Sequence, residues 1–231
     1  FTFTGSTGVG KQLLAQCAPT IKRTSMELGG NAPFIIFDNA DLDEAVTGLM
    51  GAKFRNGGQT CVAANRIFVQ RSVLDQVVDK LAKKVTALKV GNGLDDATDI
   101  GPLIYPKAKQ KVQELVADAK AKGGVQIGDN VELGGNYQAP LILNGVTAEM
   151  DIYHQEVFGP VVSIIVFDEE PEVLALANDV PYGLAAYFYS QDLKQIYRVS
   201  EALEYGMVGI NEGLISNPVA PFGGVKQSGL G

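Results

Sequence analysis

Apolar runs alternate with helix-like segments along this chain, and the alternation limits the folds that it can adopt. Residues 33–37, PFIIF, are apolar throughout, as in a strand that is buried on both faces. Asp41 and Glu44 then form a capping-box pattern that predicts the start of a helix. Further strands are predicted at 1–4, 67–69, 162–167, 185–189 and 207–211, and further helices at 7–18, 72–90, 106–122, 171–178 and 192–203. The pattern indicates an α/β fold with a mainly parallel sheet and helices on both faces.

The expected place for a functional site follows from this fold class. Loops beyond the carboxyl ends of parallel strands carry the ligands and the chemistry of most open α/β sheets. We therefore expect the functional side chains at the carboxyl-terminal edge of the sheet.

Composition and charge exclude several classes of function. The 231 residues carry a formal net charge of −7, and no basic stripe of the kind that binds nucleic acid is visible. No apolar run approaches the roughly 20 residues that a membrane-spanning helix needs, and no signal-peptide pattern is present. Cys17 and Cys61 are too few for a disulfide framework, and His154 is the single histidine. We expect no metal centre, no nucleic-acid or membrane partner, and a reducing, cytoplasmic compartment.

The first twelve residues, FTFTGSTGVGKQ, almost satisfy the phosphate-binding pattern G-x-x-x-x-G-K-[ST] between a strand and a helix. Gln12 stands where that pattern needs a hydroxyl to hold Mg²⁺. Asp38 is the only acidic residue suitably placed to assist a metal ion. A P-loop nucleotide hydrolase is therefore an alternative, but a disfavoured one.

Two further segments place reactive side chains next to glycines. In MELGG, residues 26–30, Glu27 lies between apolar neighbours, which would raise its pKa towards that of a general base. In NGGQTCV, residues 56–62, Cys61 follows a flexible polar loop whose backbone N–H groups could stabilise a thiolate and an oxyanion. Each segment also has an ordinary interpretation, a surface glutamate before a turn and a small buried cysteine. Cys17, on an apolar helix face, is predicted to be a core residue.

A third segment, QEVFGP at residues 155–160, combines a carboxylate with an aromatic ring. Glu156 could accept hydrogen bonds from a ribose, and Phe158 could pack on a flat ring. A turn before a core strand is an equally good interpretation of this segment by itself. We expect His154, next to it, to be structural or solvent-facing.

Five motifs together narrow the interpretation. FTGS at 3–6, ELGG at 27–30, GQTC at 58–61, EVFGP at 156–160 and PFGG at 221–224 occur in an order and at separations that closely resemble the aldehyde dehydrogenase superfamily. The resemblance extends over essentially the whole chain. Within the superfamily, the stretches 53–61, 204–216 and 221–229 are most similar to the branch that oxidises succinate semialdehyde.

The resemblance implies a catalytic mechanism based on a cysteine. Cys61 would attack the aldehyde carbon to give a thiohemiacetal, and hydride would leave for the nicotinamide of NAD or NADP. Glu27 would activate the water that hydrolyses the resulting thioester. The backbone N–H of Cys61 would be one donor to the oxyanion. This agrees with a chain that has a candidate nucleophile and a candidate base but no histidine partner for either.

The resemblance also implies which residues bind the cofactor. Gly5 and Ser6 would meet the pyrophosphate at a helix N-terminus, which needs no metal and so explains Gln12. Leu28 would contact the nicotinamide end through its backbone. Glu156 would bind the nicotinamide ribose, and Phe158 would pack near the nicotinamide.

By the same resemblance, the substrate site includes Arg55, Ser216 and Phe222. Arg55 precedes Cys61 by six residues, where the family places an arginine that binds a substrate carboxylate, and Ser216 matches a hydroxyl that helps to hold it. A surface ion pair is the ordinary alternative for Arg55. Ala63 occupies a position where some relatives carry a second cysteine, so we expect no redox-switch disulfide there.

The resemblance implies a domain division and an incomplete enzyme. Residues 1–29 would be the last strand and helix of an NAD(P)-binding domain, and 30–231 an aldehyde-dehydrogenase-like catalytic domain without its C-terminal oligomerisation segment. The chain begins inside a predicted strand without Met, and 226–231 show no helix or strand pattern. We therefore expect the C-terminal half of a longer protein that is a homo-oligomer when full length.

Two alternatives stay open on this basis. The enzyme could oxidise another aldehyde, such as glutarate semialdehyde or a neutral aliphatic aldehyde. These 231 residues could also be a folded fragment without catalytic activity, because the residues that complete the cofactor site would lie outside them. We expect the chain by itself to bind the cofactor poorly.

Overall fold

A seven-stranded sheet forms the centre of the protein in this computed structural model, which describes residues 1–128 and 131–230. The strands are β1 (Thr2–Thr4), β2 (Ser25–Glu27), β3 (Ala32–Ile36), β4 (Ala64–Gln70), β5 (Val125–Ile127), β6 (Leu141–Asn144), β7 (Val161–Phe167), β8 (Tyr182–Gly183), β9 (Ala185–Tyr189), β10 (Met207–Ile210), β11 (Val225–Lys226) and β12 (Gly229–Leu230). The helices are α1 (Thr7–Cys17), α2 (Leu42–Phe54), α3 (Leu74–Thr86), α4 (Pro106–Ala121), α5 (Asp151–His154), α6 (Glu170–Asn178) and α7 (Leu193–Ala202).

The large sheet has the strand order β10-β9-β3-β4-β7-β6-β5. Every neighbouring pair in it is parallel except β5 with β6. In the middle of the sheet, Phe34 of β3 aligns with Ile67 of β4 and Tyr187 of β9. The predicted α/β fold with a mainly parallel sheet is confirmed.

Two apolar cores cover opposite faces of this sheet, which gives the predicted three layers. Phe34 and Ile36 of β3 belong to a core that includes residues of α2 and α3, whereas Ile35 belongs to a core that includes residues of α4 to α7. Successive side chains of a strand point to opposite faces, so an all-apolar strand feeds both cores. Phe34 also packs against Tyr187 and Tyr189, with ring centroids 5.7 and 5.3 Å apart.

The helices begin where local chemistry favours a start. Asp41 caps α2 by accepting hydrogen bonds from the backbone N–H groups of Asp43 and Glu44. The helix predicted over 72–90 is shorter in the structure, where α3 covers Leu74–Thr86. The hydroxyl of Ser72, at the predicted start of that helix, donates to Asp38, which follows β3.

A smaller sheet with the order β1-β2-β12 lies beside the large one. In it β12 pairs antiparallel with β2, so that Gly229 lies opposite Glu27. The expectation that 226–231 contain no strand is therefore wrong, although Gly231 lies outside the described residues. Two-residue strands such as β11 and β12 are too short to produce a recognisable alternation, and only their pairing partners define them.

Helix α1 is much less buried than the helices of the large sheet. Within it, Val9 is 43% exposed, whereas Cys17 is 7% exposed. The prediction of a core position is confirmed for Cys17. None of the helices within residues 1–128 and 131–230 has the length and apolar character that crossing a membrane requires.

Candidate active site

Three loops with candidate functional residues meet at one edge of the large sheet. Glu27 and the glycines after it precede β3, Cys61 precedes β4, and Glu156 precedes β7. These three strands are parallel neighbours, so the loops before them lie side by side. This edge of the large sheet is the amino-terminal one, so the prediction of a site at the carboxyl-terminal edge is wrong for that sheet. Gly5 and Glu27, in contrast, lie at the carboxyl ends of the parallel strands β1 and β2, as predicted.

The opposite edge of the same strands is closed by polar contacts with one another. Arg71 and Asp168, which follow β4 and β7, form a two-point ion pair with distances of 2.6 and 2.9 Å. The side chain of Gln70 accepts a hydrogen bond from the backbone N–H of Asp38 after β3. The small sheet contacts the amino-terminal edge instead, and its packing determines which edge forms a cleft.

Glu27 is the last residue of β2, not a loop residue as its sequence context suggested. The strand pairs with β1 on one side and β12 on the other, which fixes its backbone. Desolvation by burial raises the pKa of Glu27, in the direction that its apolar neighbours predicted. Among the described residues its Oε2 atom is buried without a hydrogen-bond partner, and Glu27 lines a cavity of about 1090 Å³. The carboxylate is therefore free to bind a water molecule or a ligand.

The loop that carries Cys61 begins with a left-handed turn at the end of α2. Asn56, Gly57 and Gly58 have φ angles of 53°, 62° and 76°. A Cβ atom at Gly58 would collide with the carbonyl oxygen of Gly159, and a Cβ atom at Gly30 would lie 2.6 Å from the carbonyl oxygen of Cys61. Glycine is required where these three loops touch.

Glu156 and Phe158 both face the cavity from the loop before β7. The backbone N–H of Gly30 donates to Glu156 Oε1 at 3.5 Å. Phe158 has a φ of 53°, an uncommon conformation for a bulky residue, and its ring is 37% exposed. A strained aromatic residue in a cavity wall is more typical of a binding surface than of a core.

All ten residues singled out from the sequence line the same cavity of about 1090 Å³. They are Gly5, Ser6, Glu27, Leu28, Arg55, Cys61, Glu156, Phe158, Ser216 and Phe222. Their positions span the chain from residue 5 to residue 222, and they come from both sheets. The cavity has space for a ligand of the size of a dinucleotide end together with a small aldehyde.

The electrostatics of this cavity disfavour the thiolate form of Cys61. Burial raises the pKa of its thiol, and the carboxylates of Glu156 and Glu27 raise it further. The backbone N–H of Cys61 and the guanidinium of Arg55 act in the opposite direction. Burial also raises the pKa of Glu156 to about 7. A bound cation or dipole near Cys61 would therefore increase its reactivity.

Gly5 and Ser6 bring the N-terminus of α1 to the cavity. Ser6 is the N-cap of this eleven-residue helix, and within the described chain its side chain makes no capping hydrogen bond. The first N–H groups of any helix lack intrahelical partners, and the helix dipole favours an anion there. Lys11 and Gln12 lie outside the described lining of the cavity and are exposed, which argues against the P-loop alternative.

Helix α4 contributes residues that the sequence analysis did not identify. Lys107, Lys111 and Glu114 line the cavity, and Lys111 Nζ donates to the backbone oxygen of Glu156 at 2.6 Å. Their spacing of three to four residues places them on one helix face, but a polar helix face is also the ordinary solvated case. His154 is exposed, in agreement with the expected solvent-facing position, and contacts the backbone oxygen of Ala148 through Nε2 at 2.7 Å.

The site therefore combines a thiol, two carboxyl groups with raised pKa values, a guanidinium and a helix N-terminus in one cleft. The sequence profile of the aldehyde dehydrogenase family matches residues 1–231. The chain belongs to the aldehyde dehydrogenase family, whose members are oxidoreductases.

Individual relatives make the similarity specific. The chain is 55% identical to the succinate-semialdehyde dehydrogenase [NADP(+)] of Escherichia coli strain K12, with all of this chain and 48% of that protein covered. It is 54% identical to the glutarate-semialdehyde dehydrogenase of Pseudomonas putida KT2440 at the same coverage. The crystal structure of an aldehyde dehydrogenase from Brucella melitensis biovar abortus 2308 superposes with a TM-score of 0.98 and is 61% identical, again over all of this chain and 48% of the other. The chain thus spans about half the length of the relatives that it matches.

Proposed function

We propose that the protein containing this chain oxidises an aldehyde to a carboxylic acid with NAD or NADP, and that succinate semialdehyde is its substrate. One observation carries the proposal. A thiol, a carboxyl group with a raised pKa, a helix N-terminus and a guanidinium all line one cavity of about 1090 Å³. Membership of the aldehyde dehydrogenase family supports the reaction type.

In the proposed reaction Cys61 acts as the nucleophile. The thiol loses its proton to solvent, the thiolate sulfur attacks the carbonyl carbon, and the carbonyl oxygen becomes an oxyanion that the backbone N–H of Cys61 stabilises. Bound NAD(P)⁺ supplies the hydride acceptor. Loss of hydride leaves a thioester on Cys61. Glu27 takes a proton from water, the resulting hydroxide attacks the thioester carbon, and the carboxylic acid leaves while the Cys61 thiolate is restored.

The residues present fit a nicotinamide dinucleotide. The α1 N-terminus at Gly5 and Ser6 offers N–H groups to a pyrophosphate. The Glu156 carboxylate suits ribose hydroxyls, and the exposed ring of Phe158 suits a flat nicotinamide. A Cβ atom at Gly29 would lie 3.1 Å from Glu156 Oε2, so this glycine keeps the space at the carboxylate open.

Substrate choice in this proposal depends on Arg55. Arginine binds a carboxylate through two parallel hydrogen bonds, and Arg55 lines the cavity together with Cys61 and Ser216. The E. coli and P. putida relatives are named for succinate and glutarate semialdehydes, which both carry a carboxylate at the far end. Identities of 55% and 54% do not separate these two substrates, so glutarate semialdehyde is the second candidate.

The test compares substrates with and without a carboxylate in the full-length protein. We expect kcat/KM for succinate semialdehyde to exceed that for butyraldehyde by at least about 100-fold, because one charged, bidentate contact contributes that order of discrimination. Arg55→Ala should collapse the ratio. A parallel measurement with glutarate semialdehyde, which has one more methylene than succinate semialdehyde, separates these two substrates. One methylene changes kcat/KM by about 10- to 200-fold.

Lys107→Ala is the matched control, because it removes one positive charge from the same cavity at a different wall. It should leave the ratio of the two kcat/KM values nearly unchanged. Equal effects of the two variants would indicate that the net positive charge of the cavity attracts the substrate, and not a specific contact with Arg55. A wild-type preference for butyraldehyde would contradict the proposed substrate.

We also propose that residues 1–29 belong to a cofactor-binding domain and 30–231 to a catalytic domain. In support, β1 and β2 belong to a sheet separate from the one that begins with β3. Limited proteolysis of the full-length protein should cut between the two units more readily than within the large sheet.

A further inference from the structure

A buried asparagine at the start of β4 holds the backbone on both sides of Glu156. The side chain of Asn65 donates through Nδ2 to the backbone oxygen of Gln155 at 3.3 Å. Its Oδ1 atom accepts from the backbone N–H of Val157 at 3.4 Å. One side-chain amide thus pairs with the peptide groups before and after Glu156, as a neighbouring strand would do.

Two further side chains fix the Asn65 amide itself. Lys53 Nζ donates to Oδ1 at 3.4 Å, and Nδ2 donates to Asn31 Oδ1 at 3.0 Å. These contacts use both donors and both acceptor positions of the amide, so its orientation is fixed. Asn31, Lys53 and Asn65 are 1%, 0% and 2% exposed. A buried amide whose donors and acceptor positions are all used is held rigidly.

A third polar backbone group of this segment is also held by a side chain. Lys111 of α4 donates to the backbone oxygen of Glu156 at 2.6 Å. Three polar backbone groups around Glu156 therefore bind side chains of β4 and α4. The segment is part of no helix or strand in the described chain, so these side chains replace secondary structure there.

We propose that Asn65, oriented by Lys53 and Asn31, is a positioning residue that holds the Glu156 carboxylate in the cavity wall for the cofactor ribose. The inference rests on the proposed function, because that function gives Glu156 its ligand. It assigns to three buried residues a role in cofactor binding that they perform without touching the cofactor.

Electrostatics give Lys53 a second part in this arrangement. Burial lowers the pKa of Lys53 to about 7, and the Glu156 carboxylate opposes that shift. Burial raises the pKa of Glu156 to about 7, and the Gly30 N–H, Lys111 and Lys53 oppose that shift. A ribose hydroxyl donates to a carboxylate, so the ionised form of Glu156 is the one that binds. Lys53 favours that form.

Hydrogen exchange tests the backbone contact independently of activity. In Asn65→Ala, the amide of Val157 loses its acceptor and should exchange at least about tenfold faster than in the wild-type protein. Asn65→Asp keeps the acceptor for Val157 but loses the donor to Gln155, so its Val157 amide should stay protected. The aspartate can also pair with Lys53, which favours folding if the alanine variant does not fold.

Kinetics of the full-length protein test the role in cofactor binding. We expect Asn65→Ala to raise the KM for the cofactor about tenfold and to change kcat much less. Lys53→Met should raise the pKa of Glu156, because Lys111 then remains as the only cation opposing burial. The acid limb of kcat/KM for the cofactor should move to higher pH, a shift that general loosening of the fold would not produce.

Asn178→Ala is the matched control. The Asn178 side chain also holds two backbone groups, donating to the oxygen of Ala202 and accepting from the N–H of Glu204, but outside the described cavity lining. The Asn178→Ala variant should leave the KM for the cofactor unchanged. The double variant of Asn65→Ala with Glu156→Ala should be no weaker for cofactor than Glu156→Ala alone, since both act through one group.

Each result separates the two proposals. If the wild-type protein forms no NAD(P)H from any aldehyde, the proposed function fails, while hydrogen exchange still reports on the Asn65 contact. If the wild type is active but folded Asn65→Ala keeps wild-type exchange at Val157 and wild-type cofactor KM, the positioning role is overturned. Additive effects in the double variant would overturn it as well.

Discussion

The two sheets that form the cleft differ strongly in burial. Strands β3 and β9 of the large sheet are buried at every residue, whereas in β1 only one residue is even partly buried. The nucleophile candidate Cys61 lies in a loop next to the well-buried large sheet, and the base candidate Glu27 lies in the small, more exposed sheet. The comparison indicates that the large sheet supplies stability and that the small sheet supplies one wall of the site.

Contacts of Ser228, immediately before β12, join the segment after β2 to β8, which directly precedes β9 of the large sheet. Ser228 is fully buried, and its hydroxyl donates to the backbone oxygen of Gly29 at 2.8 Å while it accepts from the N–H of Gly183 at 2.9 Å. The backbone oxygen of Ser228 also accepts from the N–H of Leu28 at 2.8 Å. The position of Glu27 relative to Cys61 thus depends on a few hydrogen bonds made by the end of the chain.

The largest expected effect separates the chemistry from the fold. Cys61→Ala should reduce aldehyde oxidation below about one-thousandth of the wild-type rate, because the covalent intermediate cannot form. The cysteine is only partly buried, so the unfolding midpoint in urea should change little. The rate of NAD(P)H formation by the full-length protein measures the first effect. Cys17→Ala is the control and should retain activity; activity of Cys61→Ala near that of the wild type would contradict the assigned nucleophile.

Replacing Glu27, the base candidate of the small sheet, should block a later step of the reaction than replacing Cys61 does. Glu27→Gln should lower the steady-state rate by about 10²- to 10⁴-fold, the usual contribution of a general base. Cys61 can still accept an aldehyde, so a first burst of NAD(P)H equal to the enzyme concentration should persist in stopped-flow traces. A variant that loses the burst as completely as Cys61→Ala would place Glu27 before the hydride step.

A pair of truncations sharpens the contrast in stability. Phe34→Ala removes a fully buried ring from the large sheet and should lower the free energy of unfolding by about 3–5 kcal/mol. Leu14→Ala in α1 removes a half-buried side chain and should cost less than about 1 kcal/mol. Equilibrium urea unfolding of both variants provides the comparison. Equal losses would show that α1 is as tightly packed as the large sheet.

Removing the hydrogen bonds of the Ser228 hydroxyl should have a smaller, local effect on stability and activity. Ser228→Ala leaves the oxygen of Gly29 and the N–H of Gly183 without that partner and should cost about 1–3 kcal/mol. The displaced MELGG segment should lower kcat more than it raises the aldehyde KM. Ser200→Ala, which removes an exposed contact with the oxygen of Tyr197, is the control and should be neutral.

The smallest expected effect is a pH shift at the nucleophile. The pKa of Cys61 lies above the ordinary thiol value of 9.0 because of burial and then the Glu156 carboxylate. Glu156→Gln removes that negative charge, so it should lower the pKa of Cys61 and shift the pH profile of iodoacetamide alkylation to lower pH. Alkylation is measured in a Cys17→Ser background. A profile that moves to higher pH would contradict the direct influence of Glu156 on the thiol.

Much of the fold could be predicted from local patterns. The strands at 33–37 and 185–189 are apolar at almost every position, and their prediction is confirmed within one residue. Helix α4 starts at the predicted Pro106. The strands β8, β11 and β12 have two residues each and were not predicted, because backbone pairing defines them and no side-chain pattern marks them.

The candidate residues were identifiable from sequence because their types and neighbours are unusual. Lys53 and Asn65 were not, although a lysine among apolar residues at the end of α2 is a signal that could have been followed. The importance of Asn65 depends on contacts with Gln155 and Val157, which are 90 and 92 positions away. Such contacts exist only after β4 and β7 have paired.

The sequence by itself determined the alternation of strands and helices, the family, and the three glycine-containing segments that carry Glu27, Cys61 and Glu156. It also implied that segments next to parallel strands would gather at one edge of a sheet. Only the tertiary structure decided that this edge is the amino-terminal one. The physical reason is that both ends of parallel strands gather loops equally well, and the choice depends on where β1, β2 and β12 pack. That packing is a long-range property, because it joins residues 25–27 to residues 229–230.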